Sequence, residues 1–100
     1  PPRGPLVFVA GFGVEGAAVG LKLLEELRIR GICSDTDYRA TTLKALLRQA
    51  DRLGATYVVI IGDDEAVKGE VLLRNMETKE QEPLSVSAVS GTLATRLKIR

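Results

Sequence analysis

The chain contains no histidine, no tryptophan and a single cysteine, Cys33. Without histidine there is no Ser–His–Asp triad and no zinc site of mixed His and Cys ligands. One cysteine cannot build a disulfide framework and fits a reducing compartment, so a cytoplasmic location is expected. Aromatic residues are only 4% of the chain, so its core has to be aliphatic. No apolar run reaches the ~18 residues of a transmembrane helix, and no basic-then-apolar leader precedes the first apolar segment. An excess of one charge is missing as well. Fourteen basic against thirteen acidic residues leave +1. The molecule therefore has no global pull on polyanions, and any nucleic-acid contact must be local.

What is present is 100 residues, 45% hydrophobic and 27% charged, enough for one small globular domain. Pro1 in place of Met suggests a piece of something longer. The Pro-rich residues 1–5 read as a linker remnant, with the domain over 6–100.

Leu6 to Ala10 is an apolar run of strand length, broken by glycines at 11, 13 and 16. A helix follows over 15–30, with 17, 18, 21, 24 and 27 at helical spacing, Lys22 and Glu26 outward, and Gly31 as its stop. Ile32-Cys33-Ser34 reads as a second strand with Cys33 in the core. After a polar loop, Thr41 or Thr42 caps a second helix whose stripe is Leu43, Leu46, Leu47 and Ala50, ended by Gly54. Tyr57 to Ile61 is β-branched and apolar, as a strand covered on both faces should be. These segments make a βαβαβ unit. Residues 63–68 allow a short helical turn. Val71–Arg74 and Glu82–Leu84 flank the polar turn Glu77–Glu80 as a hairpin, with Pro83 demoting its strand to an edge. Residues 86–97 close the chain as a helix capped by Ser85 or Ser87, with Val89, Leu93 and Leu97 inward.

Three constellations could carry chemistry. Gly11-Phe12-Gly13-Val14-Glu15-Gly16 is a G-x-G-x-x-G between a strand and a helix, and Asp35 stands where a dinucleotide site places its ribose-binding acid. Backbone N–H groups at the helix start would hold phosphate, as in an NAD-binding half. The plainer alternative is a tight turn that binds nothing, and Glu15 adds a charge unfavourable to phosphate. Lys44, Arg48 and Arg52 recur every four residues and line one helix face, with Tyr38 and Arg39 in the loop before it. Such a stripe can follow a phosphate backbone while the aromatic stacks on an unpaired base; the plainer alternative, and the usual one for charge runs of this length, is a solvated helix face partly neutralised by Asp37 and Asp51. Gly62-Asp63-Asp64-Glu65 places carboxylates at the C-terminal end of a parallel strand, where ligands bind in open sheets. It is also what a helix N-terminus favours. No second acidic cluster supports a metal.

The segment Asp37-Tyr38-Arg39-Ala40-Thr41-Thr42-Leu43-Lys44 through Ala50-Asp51-Arg52-Leu53-Gly54-Ala55, with the Gly-Asp-Asp-Glu turn and Leu73-Arg74-Asn75-Met76-Glu77-Thr78-Lys79-Glu80-Gln81, resembles the anticodon-binding domain of class IIa aminoacyl-tRNA synthetases, most of all its histidyl branch. The resemblance covers about residues 6–97. It implies a three-layer α/β/α fold: a five-stranded mixed sheet, three parallel strands plus a C-terminal hairpin, with three main helices. It further implies binding without catalytic residues: Glu65 and Arg74 contact anticodon bases, and Tyr38, Arg39, Thr42, Lys44 and Arg48 hold the loop and its phosphates. The implied partners are the anticodon stem-loop of tRNA(His) and the catalytic domain of a parent ligase. That parent is a homodimer using ATP and magnesium, with no cofactor in this domain and no membrane. Two departures stand out. Relatives often carry Lys and Ser where Arg74 and Thr42 stand, and the glycine-rich first loop replaces a Pro-containing polar turn.

Overall fold

The run Val7–Gly11 is buried at its first four positions and forms the first strand, β1. Gly13, at φ 77°, turns the chain into helix α1, Val14–Ile29. The second strand, β2, is the two-residue Ser34–Asp35, and helix α2 spans Leu43–Arg52. Strand β3 is Tyr57–Ile61, followed by the short helix α3, Asp63–Lys68. The hairpin is β4, Glu70–Asn75, with β5, Gln81–Ser85. A 3-10 turn at Val86–Ala88 leads into helix α4, Val89–Arg96. This is a computed structural model, and it describes residues 6–98. The linker assigned to 1–5 lies outside the described residues.

The five strands lie in the order β2-β1-β3-β4-β5. β1 runs parallel to β2 and β3, and the hairpin joins antiparallel, so the expected mixed α/β sheet is present. β5, with Pro83, is an edge strand, where a missing N–H is tolerated. Alternation along the strands builds two cores. Val7, Val9, Val59, Ile61, Val71 and Leu73 point to one face, under α1 and α4. Phe8, Ala10, Val58 and Ile60 point to the other, under Leu46 and Ala50 of α2. No helix among the described residues is long and apolar enough to cross a membrane.

Several sequence expectations shift. The buried stripe of α1 is Gly16, Gly20, Leu23, Leu24 and Leu27, whereas Ala17, Ala18 and Leu21 are exposed. Two glycines let the helix backbone settle on β1, turning the small apolar side chains outward. Cys33 is exposed rather than in the core. Ile32 and Ser34 point inward, so alternation turns Cys33 out. The second strand also starts later than expected, because the Ile32 N–H is spent on the Leu27 carbonyl that ends α1, at 2.9 Å. Residues 63–68 complete a fourth, short helix. Ser85 stands at the N-cap position of the 3-10 turn that opens the closing segment, but its side chain makes no capping bond; the Ser85 and Ser87 hydroxyls bond each other at 3.0 Å.

The last helix is tied to the hairpin by Arg96, whose Nη1 and Nη2 donate to the two carboxylate oxygens of Glu82 at 2.8 and 3.0 Å. The hydrogen bond to Arg96 holds the Glu82 carboxyl below its ordinary value of 4.5. A carboxyl with a lowered folded-state pKa contributes stability above that ordinary value and loses it as pH falls through the lowered one. Glu82→Gln should therefore cost a little stability in the neutral region and none at the acid end, which flattens the acid limb of the stability–pH curve below about pH 4.5; urea melts from pH 2 to 7 would measure this.

Candidate nucleic-acid interface

The C-terminal ends of β1 and β3 meet at the glycine-rich turn. Asp63, the first residue of α3, places Oδ1 2.9 Å from the Glu15 N–H and 3.0 Å from the Gly16 N–H. In a dinucleotide site these first-turn amides hold phosphate. Here the chain's own carboxylate occupies them. A Cβ on Gly13 would overlap the Asp63 carboxylate, and one on Gly16 would overlap the Ile61 carbonyl oxygen. Gly11 is pressed equally close, 2.6 Å from the Gly16 carbonyl oxygen to its would-be Cβ. Asp35 accepts from the Thr36 N–H at 2.8 Å and faces the Arg28 guanidinium at 3.7 Å. The dinucleotide reading of Gly11, Gly13, Gly16 and Asp35 therefore gives way to a packing one: the glycines let α1 abut the β3–α3 turn. Asp63→Ala should cost about 1–2 kcal/mol, as the loss of a helix cap does. Thermal melts would measure this, and sulfate should raise the melting temperature of the variant more than that of the parent.

The face of the sheet that carries α2 is only partly covered. α2 packs on β1 and β3. Beyond it the same face continues through the register pairs Val58–Arg74 and Ile60–Leu72, then Arg74–Gln81 and Leu72–Pro83. Gln81 and Pro83 are exposed. Arg74 is half-buried, and its Nη1 donates to Gln81 Oε1 at 2.8 Å. Its Nε is buried and, among the described residues, has no hydrogen-bond partner. A buried donor left without a partner costs about 1–3 kcal/mol.

Glu65 stands at the other end of β3. Its Oε1 accepts from the Gly62 N–H at 2.8 Å, reaching back as the N3 residue of a capping box does. A Cβ on Gly62 would meet both this oxygen and the Phe12 ring. Phe12 belongs to the α2-side cluster, which places Glu65 at the rim of that same face. A pocket of about 320 Å³ opens there, between Phe12-Gly13 and Gly62 to Glu65. From Val58 to Gly62 the strand rises about 13 Å, so Glu65 and Arg74 bracket the face instead of sharing one contact point.

The remaining candidates are spread around this face. Thr42 accepts from the Ala45 N–H at 3.2 Å and is the cap of α2. Lys44, Arg48 and Arg52 are exposed, on the side of α2 opposite Leu46 and Ala50. Arg39 is exposed, its backbone N–H held by Asp37 Oδ1 at 2.9 Å. Tyr38, 71% exposed, lies beyond β1 at the β2 edge. Three strand positions, about 14 Å, separate that edge strand from β4. The structure thus unites Glu65 and Arg74 on one face, with a basic helix beside it and an aromatic loop at the far corner.

Residues 7–96 match the family described as the anticodon binding domain. The chain belongs to that family. This anticodon-binding domain is 39% identical over 95 residues to the histidine–tRNA ligase of Acetivibrio thermocellus, covering 95% of the chain and 22% of that protein. It superimposes on the apo histidyl-tRNA synthetase of S. aureus with a TM-score of 0.81 and 34% identity, covering 89% of this chain and 23% of that one. The RNA binding domain of threonyl-tRNA synthetase from Cryptosporidium parvum is similar at 26% identity and a TM-score of 0.75, over 94% of this chain and 23% of that one. The chain therefore spans about a fifth of the length of the ligases it matches.

Reading the sequence alone passes over three groups of this anticodon-binding domain. Asp63 reads as helix-end charge, and nothing in its neighbourhood announces the amides of Glu15 and Gly16. Phe12 hides inside the glycine motif, although its alternation with Phe8 and Ala10 places it on the α2 side. Gln81 could be found by pairing the hairpin across its turn, which sets it opposite Arg74.

Proposed function

We propose that this domain binds the anticodon stem-loop of tRNA(His) through the open sheet face beside α2, as the recognition module of a histidine–tRNA ligase. The observation that carries the reading is Arg74: a half-buried guanidinium registered on the part of the sheet face that lies beyond α2, opposite Val58 and Gln81. The planar fork of the guanidinium suits a base edge or a phosphate. Glu65 accepts from base amino or imino groups at the upper rim. Lys44 and Arg48 supply the local positive charge that a net charge of +1 does not. Similarity to histidyl enzymes over nearly the whole chain supports the choice of tRNA.

Binding, rather than chemistry, is the domain's task. In the parent ligase, histidine activation with ATP and magnesium belongs to a separate catalytic domain, in a cytoplasmic homodimer. The test is a titration of the domain, at low and moderate salt, with the histidine anticodon stem-loop and separately with NAD. Saturable stem-loop binding that weakens with salt, and no NAD response, is expected. NAD binding without stem-loop binding would overturn the reading.

A further inference from the structure

We propose that Gln81 is a positioning residue for RNA recognition: it fixes the Arg74 guanidinium and, being uncharged, leaves that group's positive charge free for the RNA loop. The proposal rests on the reading above and adds a residue to it.

The placement begins in the hairpin turn. Asn75 Oδ1 accepts from the Glu77 and Thr78 N–H groups at 2.9 and 3.1 Å. The Asn75 N–H donates to the Glu80 carbonyl at 2.9 Å, and the Lys79 N–H donates to the Asn75 carbonyl at 2.7 Å. Lys79 takes a φ of 67° to close the turn. A turn braced in this way sets the register of β4 and β5, and it puts Gln81 directly opposite Arg74. Opposite side chains of an antiparallel pair share a face and lie within reach of each other. Gln81 Oε1 accepts from Arg74 Nη1 at 2.8 Å. Among the described residues this is the guanidinium's one side-chain hydrogen bond: Nη2 has none, and Nε is buried without a partner. A fork tied at one end has already lost much of its rotamer freedom, so less is lost when RNA binds.

The residue type at position 81 carries the second half of the argument. In the run Glu80-Gln81-Glu82 the neutral member is the one that faces the arginine. Glu82 pairs with Leu73 and turns to the opposite face, where both its oxygens accept from Arg96. Hairpin stability alone would favour an acid opposite Arg74 too, because opposite charges stabilise cross-strand pairs. A carboxylate there would hold the fork by a stronger, charge-assisted bond. It would also neutralise the guanidinium and set a negative charge against RNA phosphates. Glutamine supplies the acceptor without either effect. The two arginines of this hairpin region are thus treated differently: Arg96 is neutralised within the fold, and Arg74 is oriented but left charged.

The test measures Gln81→Ala and Gln81→Glu, and Gln81→Ala combined with Arg74→Ala. Each is titrated with the histidine anticodon stem-loop and with one whose anticodon bases are exchanged, and each is melted thermally. Gln81→Ala should weaken the histidine stem-loop about 3- to 10-fold, the size of one neutral hydrogen bond, and narrow its preference over the exchanged one. Gln81→Glu should weaken binding at least as much, most strongly at low salt, while its melting temperature stays equal or rises. Affinity and stability moving apart is a result that a purely structural Gln81 does not produce. In the Arg74→Ala background, Gln81→Ala should change affinity less than about twofold, because it acts through the guanidinium. If Gln81→Glu binds as tightly as the parent, or Gln81→Ala costs as much without Arg74 as with it, the positioning role is wrong. The anticodon reading still stands in that case, provided that Arg74→Ala alone weakens binding. If the parent domain does not bind the stem-loop at all, the anticodon reading fails and the role of Gln81 fails with it.

Discussion

Gly16→Ala is expected to lower the melting temperature by about 10–20 °C, from an overpacking cost of about 2–3 kcal/mol in a domain of this size. The added Cβ would overlap the Ile61 carbonyl oxygen and lie 2.9 and 3.0 Å from Gly62 C and Cα. All three obstacles are backbone, so no rotamer change relieves them. α1 must move away from the β3–α3 turn, which lengthens the two hydrogen bonds that Asp63 makes to its first turn. The same shift loosens Gly20 against β1, where its would-be Cβ lies 3.4 Å from Gly11 Cα. Gly91→Ala is the contrasting case. Its Cβ meets nothing within 4 Å, and the residue lies inside α4. Helix propensity alone should make that variant more stable by about 0.5–1 kcal/mol. Thermal denaturation of both variants by circular dichroism measures the pair.

Arg74→Ala should weaken stem-loop binding about 10- to 100-fold while leaving the fold at least as stable. A base contact by a guanidinium is worth about 1–3 kcal/mol, and the Arg74 fork reaches a base edge only if the loop lies on this face. The expectation on stability follows from the same atoms. Within the domain the guanidinium makes one side-chain hydrogen bond, to Gln81, and leaves Nε buried without a partner. Removing that donor relieves a desolvation cost even as the Gln81 contact is lost. Arg74→Lys should fall between the two, because it keeps the charge but not the planar pair of donors. Fluorescence anisotropy with a labelled stem-loop measures affinity, and a urea melt measures stability. A loss of affinity matched by a loss of stability would assign Arg74 a structural role.

The order of elements was legible because the apolar pattern and the punctuation agree. Gly31 and Gly54 end the two long helices, at φ 85° and 71° respectively. Thr42 caps α2, and Pro83 marks the edge strand. Local signals sufficed there because each acts within one turn of chain. The facing of α1 was not legible. Its sequence offers two apolar stripes, and the one with Gly16 and Gly20 wins because close backbone approach needs the missing side chains, a tertiary matter. Cys33 was misplaced for a related reason: it lies just before the two-residue strand, and its neighbours Ile32 and Ser34 take the inward positions. The glycine motif was seen, but its meaning depends on Asp63, 47 residues from Gly16. Glu65 and Arg74 came from resemblance alone. The sheet register then places Arg74 on the α2-side face, and the bond to the Gly62 N–H holds Glu65 at its rim, whereas Tyr38 and Arg39 stand at the opposite edge beside a crevice that no linear pattern announces.

The central claim is that this face reads anticodon bases rather than attracting RNA in general. The most direct test compares the histidine anticodon stem-loop with one of the same stem and loop length whose anticodon bases are exchanged, in the parent domain, in Arg74→Ala and in the double variant Lys44→Ala/Arg48→Ala. The parent should prefer the first by about tenfold or more, Arg74→Ala should lose most of that preference, and the double variant should weaken both complexes alike with a shallower salt dependence. Equal binding of the two stem-loops by the parent domain would contradict the account.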